Sequence, residues 1–320
     1  MSYIQAVNRF LDRWMILATP LAMVAGWRWH DALLPFVPAS VWLFALSTLA
    51  LSFGTSWGDL RRAVSRPLPV LTALALLHLV APFFSWLAWR GLFPGNPTIG
   101  AGLVLAAAIP VGVSSLLWVN LAGGDLPLAL TLVAIDTLLS PVILPFVVHL
   151  FVGQAVQVAV GSFIGGLLKM VMLPTLAGVM CHDLTGDRLL SRFAPQVQLT
   201  AKVTMILAVL LSVASSAARL SGFNRHDLPV FLILVALSAL GYLSGYAAAR
   251  LFRWEKPVAV SLAYCTGFRN TVAGTVIAAA YFPPRVALIV CLMMLFQQPL
   301  AGLVHHFATA GARQRVSQAA

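Results

Sequence analysis

Ten runs of predominantly apolar residues constrain this chain more than any other feature. They lie at roughly 14–27, 38–56, 68–89, 97–121, 126–152, 156–181, 197–218, 228–251, 257–281 and 285–308. A helix needs about 20 such residues to cross the hydrocarbon core of a bilayer. Strands of a membrane barrel are only ~10 residues long and alternate in polarity, and these runs do neither. The predicted fold is therefore an all-α membrane protein of ten transmembrane helices. Composition agrees: 9% of the 320 residues are charged, against about 25% in a soluble domain. The opening MSYIQAVNRFLDRW is too polar for a signal-peptide core, and no small-residue cleavage site follows it. The first span is thus expected to serve as its own insertion signal.

Loop charge predicts the orientation. Arg9, Arg13, Arg61, Arg62, Arg66, Arg188, Arg192, Arg250, Arg253, Lys256, Arg313 and Arg315 fall at one set of span ends, and Arg28, Arg90, Arg219, Arg225 and Arg285 at the other. Lys and Arg accumulate on the cytoplasmic side, so both termini are expected there, in an inner or plasma membrane of bacterial type. The net charge of +11 belongs to those loops. No basic stripe with interleaved aromatics occurs on a soluble segment, so no nucleic-acid partner is expected. Cys181, Cys265 and Cys291 are far apart in apolar surroundings, which indicates neither a disulfide framework nor a zinc site.

The loops are short, and the longest surrounds CHDLTGDRLLSRFAPQ, 181–196, near the middle of the chain. Two halves follow, 1–155 with spans one to five and 156–320 with spans six to ten. An odd number of spans per half gives the halves opposite orientations, as in many secondary transporters. Span four carries AAAIPVGVSSLLW and span nine LAYCTGFRNTVAG. Pro110 lacks an N–H, and Gly112 and Gly267 relax the backbone at corresponding places. Polar residues follow each: Ser114 and Ser115 in one span, Arg269, Asn270 and Thr271 in the other. Unwound backbone at membrane depth needs protein or a water-filled cavity around it. Spans four and nine are therefore expected to be broken helices that cross near the midplane and aim their half-helix N-termini at an anion.

Four charges lie inside spans: Asp136, Lys169, Lys202 and Arg269. Lys202 sits near a span end and can snorkel. Arg269 keeps its charge, so it must be paired, hydrated or facing a cavity. An Asp136–Arg269 ion pair or a shared cavity satisfies both residues; the pair is either a clamp or a site where the guanidinium receives a substrate anion. His78 in span three is either a packing residue or a proton-sensitive group beside the crossing. Gln298, with Gln297 next to it, either lines the same cavity or bonds neighbouring helices.

GLVLAAAIPVGVSSLLWVNLAGGDLPLALTLVAIDTLLSPVILP, LLKMVMLPTLAGVM and TGFRNTVAGTVIAAAYF resemble the bile acid:sodium symporter family within the bile, arsenite and riboflavin transporter superfamily. The resemblance spans nearly all the helices. It implies ten helices in two inverted repeats, a core domain of helices 3–5 and 8–10, and a panel domain of helices 1, 2, 6 and 7. It also implies uptake of bile acids or other organic anions, often driven by sodium. The sodium ligands depart from the family pattern. A Ser–Asn pair falls on Ser115 and Leu116, two hydroxyl ligands on Ala129 and Val133, and a shared carboxylate on Cys265. A Gln ligand falls on Arg269 and another near His78. Only Ser115, with Cys265 in the carboxylate's place, is left of the sodium set, and no other cofactor is implied.

The function expected from this resemblance is secondary transport of a small organic anion without sodium, either facilitative or proton-coupled through Asp136 or His78. Arg269 then stands where a coupling ion would and Asp136 is its counter-ion. Alternatives are a sodium symporter with backbone ligands, a metalloid exporter (whose helix-four thiol position is Val111 here), and a sensor without a transported substrate. No HExxH or GxSxG occurs, so an enzyme is not expected. The oligomeric state stays open, a monomer being sufficient.

Overall fold

The computed structural model describes residues 3–54, 56–58, 61, 66–153, 160–217 and 228–318. Among them the architecture is helical throughout. Six helices are long and apolar enough to cross a membrane, or up to seven if one bent pair counts as a span. Helix α1 is Tyr3–Arg28, α2 is Ala39–Ser52, and α3 is Pro67–Leu92. The expected fourth span is two pieces, α4 (Pro97–Ala108) and α5 (Ser115–Leu121). Next come α6 (Leu126–Val152), α7 (Gly161–Thr185), α8 (Phe193–Ser215) and α9 (Leu228–Leu251). The expected ninth span is also two pieces, α10 (Lys256–Gly267) and α11 (Thr271–Tyr281), and α12 is Pro284–Gln318.

Two sequence expectations need correction. The first helix begins at Tyr3 rather than near residue 14, because its polar opening is still helix-compatible. The stretch 181–196, read as a loop, has helical backbone continuous from Leu173 to Ala217. Its Leu, Arg and Asp residues carry on helical hydrogen bonding in spite of Pro195. The boundary drawn at 155/156 falls on residues outside those described.

Large side chains such as Trp42, Leu71, Val142, Phe146 and Leu243 stand exposed on the outer surface. An aqueous protein would hide so many, and lipid does not require it. Glycines set the closest helix contacts. A Cβ on Gly26 of α1 would lie 2.4 Å from the Leu210 carbonyl oxygen of α8, and one on Gly178 of α7 would lie 2.8 Å from the Leu49 carbonyl oxygen of α2. Asn8 reaches the Pro195 carbonyl from the other end of α1, so α1 and α8 run parallel.

Helix α3 widens to a π-helical turn at Leu76–Val80, with His78 at its centre. Such turns often mark functional sites. A second π turn, Leu168–Met172, carries Lys169 in α7, whose side chain is exposed.

Candidate functional site

Local chemistry explains both interruptions. Asn96 caps α4, its side-chain oxygen accepting from the Ile99 N–H at 3.2 Å. Pro110 pushes the residue before it into extended backbone, and Ile109 sits at φ −58°, ψ 147°. In the second break Phe268 is extended, and Asn270 starts α11 afresh by accepting from the Ala273 N–H at 3.1 Å. The two breaks then satisfy each other. Gly112 N–H donates to the Phe268 carbonyl at 3.1 Å, and Asn270 N–H donates to the Pro110 carbonyl at 2.7 Å. Val111 and Arg269 thus face each other in an antiparallel bridge. Gly112 permits it by size: a Cβ there would stand 2.7 Å from the Arg269 carbonyl oxygen.

Each bridging amide is also held from a neighbouring helix. The Val111 N–H donates to Asp136 Oδ2 of α6 at 2.6 Å. The Arg269 N–H donates to Gln297 Oε1 of α12 at 3.1 Å, and Gln297 Nε2 returns a bond to the Arg269 carbonyl at 2.8 Å. Buried backbone groups without partners cost about 1–3 kcal/mol each, so Asp136 and Gln297 complete the accounting for unwound chain.

Asp136 is fully buried, and its other oxygen lies 2.5 Å from His78 Nε2. A carboxylate that accepts from Val111 also accepts from an Nε2–H tautomer of His78. His78 Nδ1 finds no partner among the described residues. The direct Asp136–Arg269 ion pair is the expectation that fails. Among the described residues no carboxylate comes within 4.0 Å of that guanidinium. The π turn of α3 brings His78 to the carboxylate first, and Arg269, buried at 4% exposure, reaches the Ile109 carbonyl through Nη1 at 3.5 Å.

The remaining expected site residues divide. Ser115 and Cys265 are fully buried side by side, and Thr271 is buried at the start of α11. Ser114 is exposed and makes no capping bond. Gln298 accepts from Trp118 Nε1 at 3.0 Å, away from the bridge that Gln297 clamps. Sequence reading missed the face of α9 that supports the second break. There a Cβ on Gly245 would lie 2.2 Å from Thr266 Oγ1, and one on Gly241 would lie 2.7 Å from the Thr266 carbonyl oxygen. GYLSG at 241–245 is a Gly-x-x-x-Gly pattern, a signal for close helix approach that was open to reading. The hydroxyl of Thr266 bonds the Gly241 carbonyl across that contact at 2.8 Å.

The comparisons agree with a transporter. The profile described as "Sodium Bile acid symporter family" matches residues 39–223. The chain is 30% identical to the uncharacterized protein YbaS of Bacillus subtilis (strain 168) over 90% of its own length and 94% of that protein. It is 27% identical to the uncharacterized sodium-dependent transporter YocS of the same organism, over 71% of this chain and 69% of that one. With the probable sodium/metabolite cotransporter BASS2, chloroplastic, of Oryza sativa subsp. japonica it shares 21% identity over 91% of this chain and 69% of the relative. These relatives are similar proteins, and those with a named activity are transporters, not enzymes.

Proposed function

The chain belongs to the sodium bile acid symporter family, and on that premise we propose that it is a secondary transporter of small organic anions that does not require sodium. It is an integral membrane protein; in this reading it has ten spans with both termini in the cytoplasm, and α4–α5 and α10–α11 are its fourth and ninth spans. The two halves are inverted repeats. Two pairs of matched contacts support that relation. The first span packs on the seventh through Gly26 and Leu210, and the second on the sixth through Leu49 and Gly178, which a two-fold axis between the halves would exchange. Likewise Asp136 receives the amide at one break and Gln297 the amide at the other.

The observation that carries the sodium-free reading is the buried guanidinium of Arg269 at the junction of the breaks. A permanent cation there supplies the positive charge that a coupling ion otherwise brings, and it opposes sodium entry. Asp136, which bonds both His78 and the Val111 amide of the first break, forms with His78 a pair that carries the alternative driving ion, a proton.

Uptake into proteoliposomes tests this. Pyruvate and taurocholate, one compact and one amphipathic anion, are offered under an inward sodium gradient, an inward proton gradient or neither. Uptake of at least one, unchanged by sodium and lost in Arg269→Gln, is expected. Strong sodium stimulation would favour the second reading, a sodium symporter with backbone-carbonyl ligands, which the name of the similar Bacillus transporter supports.

A further inference from the structure

The guanidinium of Arg269 is nine-tenths buried, yet its side chain makes one long hydrogen bond among the described residues. Five N–H donors belong to that group. The nearest buried carboxylate, Asp136, spends one oxygen on His78 and the other on the Val111 amide. A buried charge with its partner removed costs about 3–5 kcal/mol, so the balance around Arg269 calls for something more.

Beside it lies a cavity of ≈ 20 Å³ between α4, α9, α10 and α12, with Leu103, Leu234, Ser238, Thr266, Arg269 and Met293 among its lining. A single water needs about 10–15 Å³ on this measure, so the room suits one or two small polar atoms. The Thr266 hydroxyl is already committed to backbone carbonyls of Gly241 and Leu262. Ser238 is different: its Oγ is buried, and it finds no partner among the described residues. Ser238, whose hydroxyl has no partner among the described residues, and Arg269, whose guanidinium has donors to spare, therefore both line one small space with otherwise largely apolar walls. The hydroxyl can donate or accept, but the positive charge of the guanidinium, with no carboxylate within 4.0 Å of it among the described residues, selects an anion. The apolar walls exclude a hydrated or polyvalent one.

We infer that this cavity binds one compact monovalent anion, held by the Arg269 guanidinium and the Ser238 hydroxyl. The same chemistry fits two sources: a free chloride ion, or the terminal carboxylate of a longer organic substrate whose tail extends away from the cavity. The carboxylate source rests on the transport reading given above, and the chloride source does not.

The test is the thermal unfolding of the full-length protein in detergent. Sodium sulfate, a divalent anion that the apolar walls exclude, is replaced by sodium chloride, formate or octanoate at constant ionic strength. A saturable rise in Tm with chloride and with formate is expected. Arg269→Gln should abolish it. Should that variant fail to fold, Ser238→Ala, which removes one hydroxyl from a buried wall, still decides: the apparent affinity should weaken about tenfold, the loss of one hydrogen bond to a charge. An octanoate response matching formate identifies the substrate carboxylate as the source, and none identifies the free ion; both support the site. The absence of a saturable rise in Tm with chloride over sulfate for the natural sequence overturns it, as does a chloride response of undiminished affinity in Ser238→Ala. Absence of uptake in proteoliposomes would count against the transport reading alone, since this measurement needs no transport.

Discussion

Asp136 and Gln297 do the same job at the two breaks, and each can be removed without touching the other. Asp136→Ala leaves the Val111 N–H and one face of His78 unpaired, at a cost of about 1–3 kcal/mol for each group. Asp136→Asn keeps an acceptor for Val111 and should unfold closer to the natural protein; thermal unfolding in detergent separates the two. Gln297→Leu strips both bonds from the Arg269 backbone, whereas Gln298→Leu loses one bond to Trp118. Gln297→Leu is therefore expected to lower Tm clearly more than Gln298→Leu. The reverse order would mean that the clamp on the second break is unimportant. At this scale the sequence was least legible. His78 and Asp136 are 58 residues apart, and no local pattern announces their meeting. The adjacent glutamines differ only by the ~100° that separates successive helical residues, so type and spacing alone do not distinguish them.

At the level of elements the breaks were readable because their causes are local. Pro110 dictates extended backbone before it, and Asn270 is a strong cap for a helix that restarts. Their mutual pairing was foreseen as a crossing, but the antiparallel bridge depends on which atoms face each other in space. Gly112→Ala is expected to separate the bridge, since its new methyl would meet backbone rather than a yielding side chain. Gly245→Val should do comparable damage from behind, by pushing α9 off Thr266. Hydrogen exchange at the Gly112 and Asn270 amides, which bond across the two breaks, should speed up in both. Unchanged protection in Gly112→Ala would show that the breaks do not hold each other. The stretch 181–196 was misread for an equally local reason: its polarity suggests a loop, but polarity alone does not stop a helix.

For the whole molecule, the contact to watch joins the start of α7 to the end of α11. Tyr281 rests on Gly166, where a Cβ would overlap its hydroxyl, and Phe163 meets Tyr281 and Phe282 at centroid distances of 5.3 and 5.4 Å. The contact joins the sixth span, of the expected panel, to the ninth, of the expected core, and we propose that transport moves core against panel and so opens and closes it. A Phe163→Cys, Phe282→Cys double variant, oxidised to a cross-link, should stop uptake, and reductant should restore it; uptake at full rate with the link formed would place the movement elsewhere. The apolar exterior was evident from composition. The pairing of the first span with the seventh and the second with the sixth was not, because one uniformly apolar helix resembles another until glycines and their partners are placed together.

The π turn at Leu76–Val80 makes chain length itself a variable in this protein. Deleting a single residue from those five would return α3 to regular pitch and rotate Pro67–Ala75 by about 100° against Ala81–Leu92. The imidazole would swing off the carboxylate, and the anchor of the first break would lose its own partner, though no side chain had been altered in kind. An insertion that looks like slack in the helix is thus what keeps two distant residues in register.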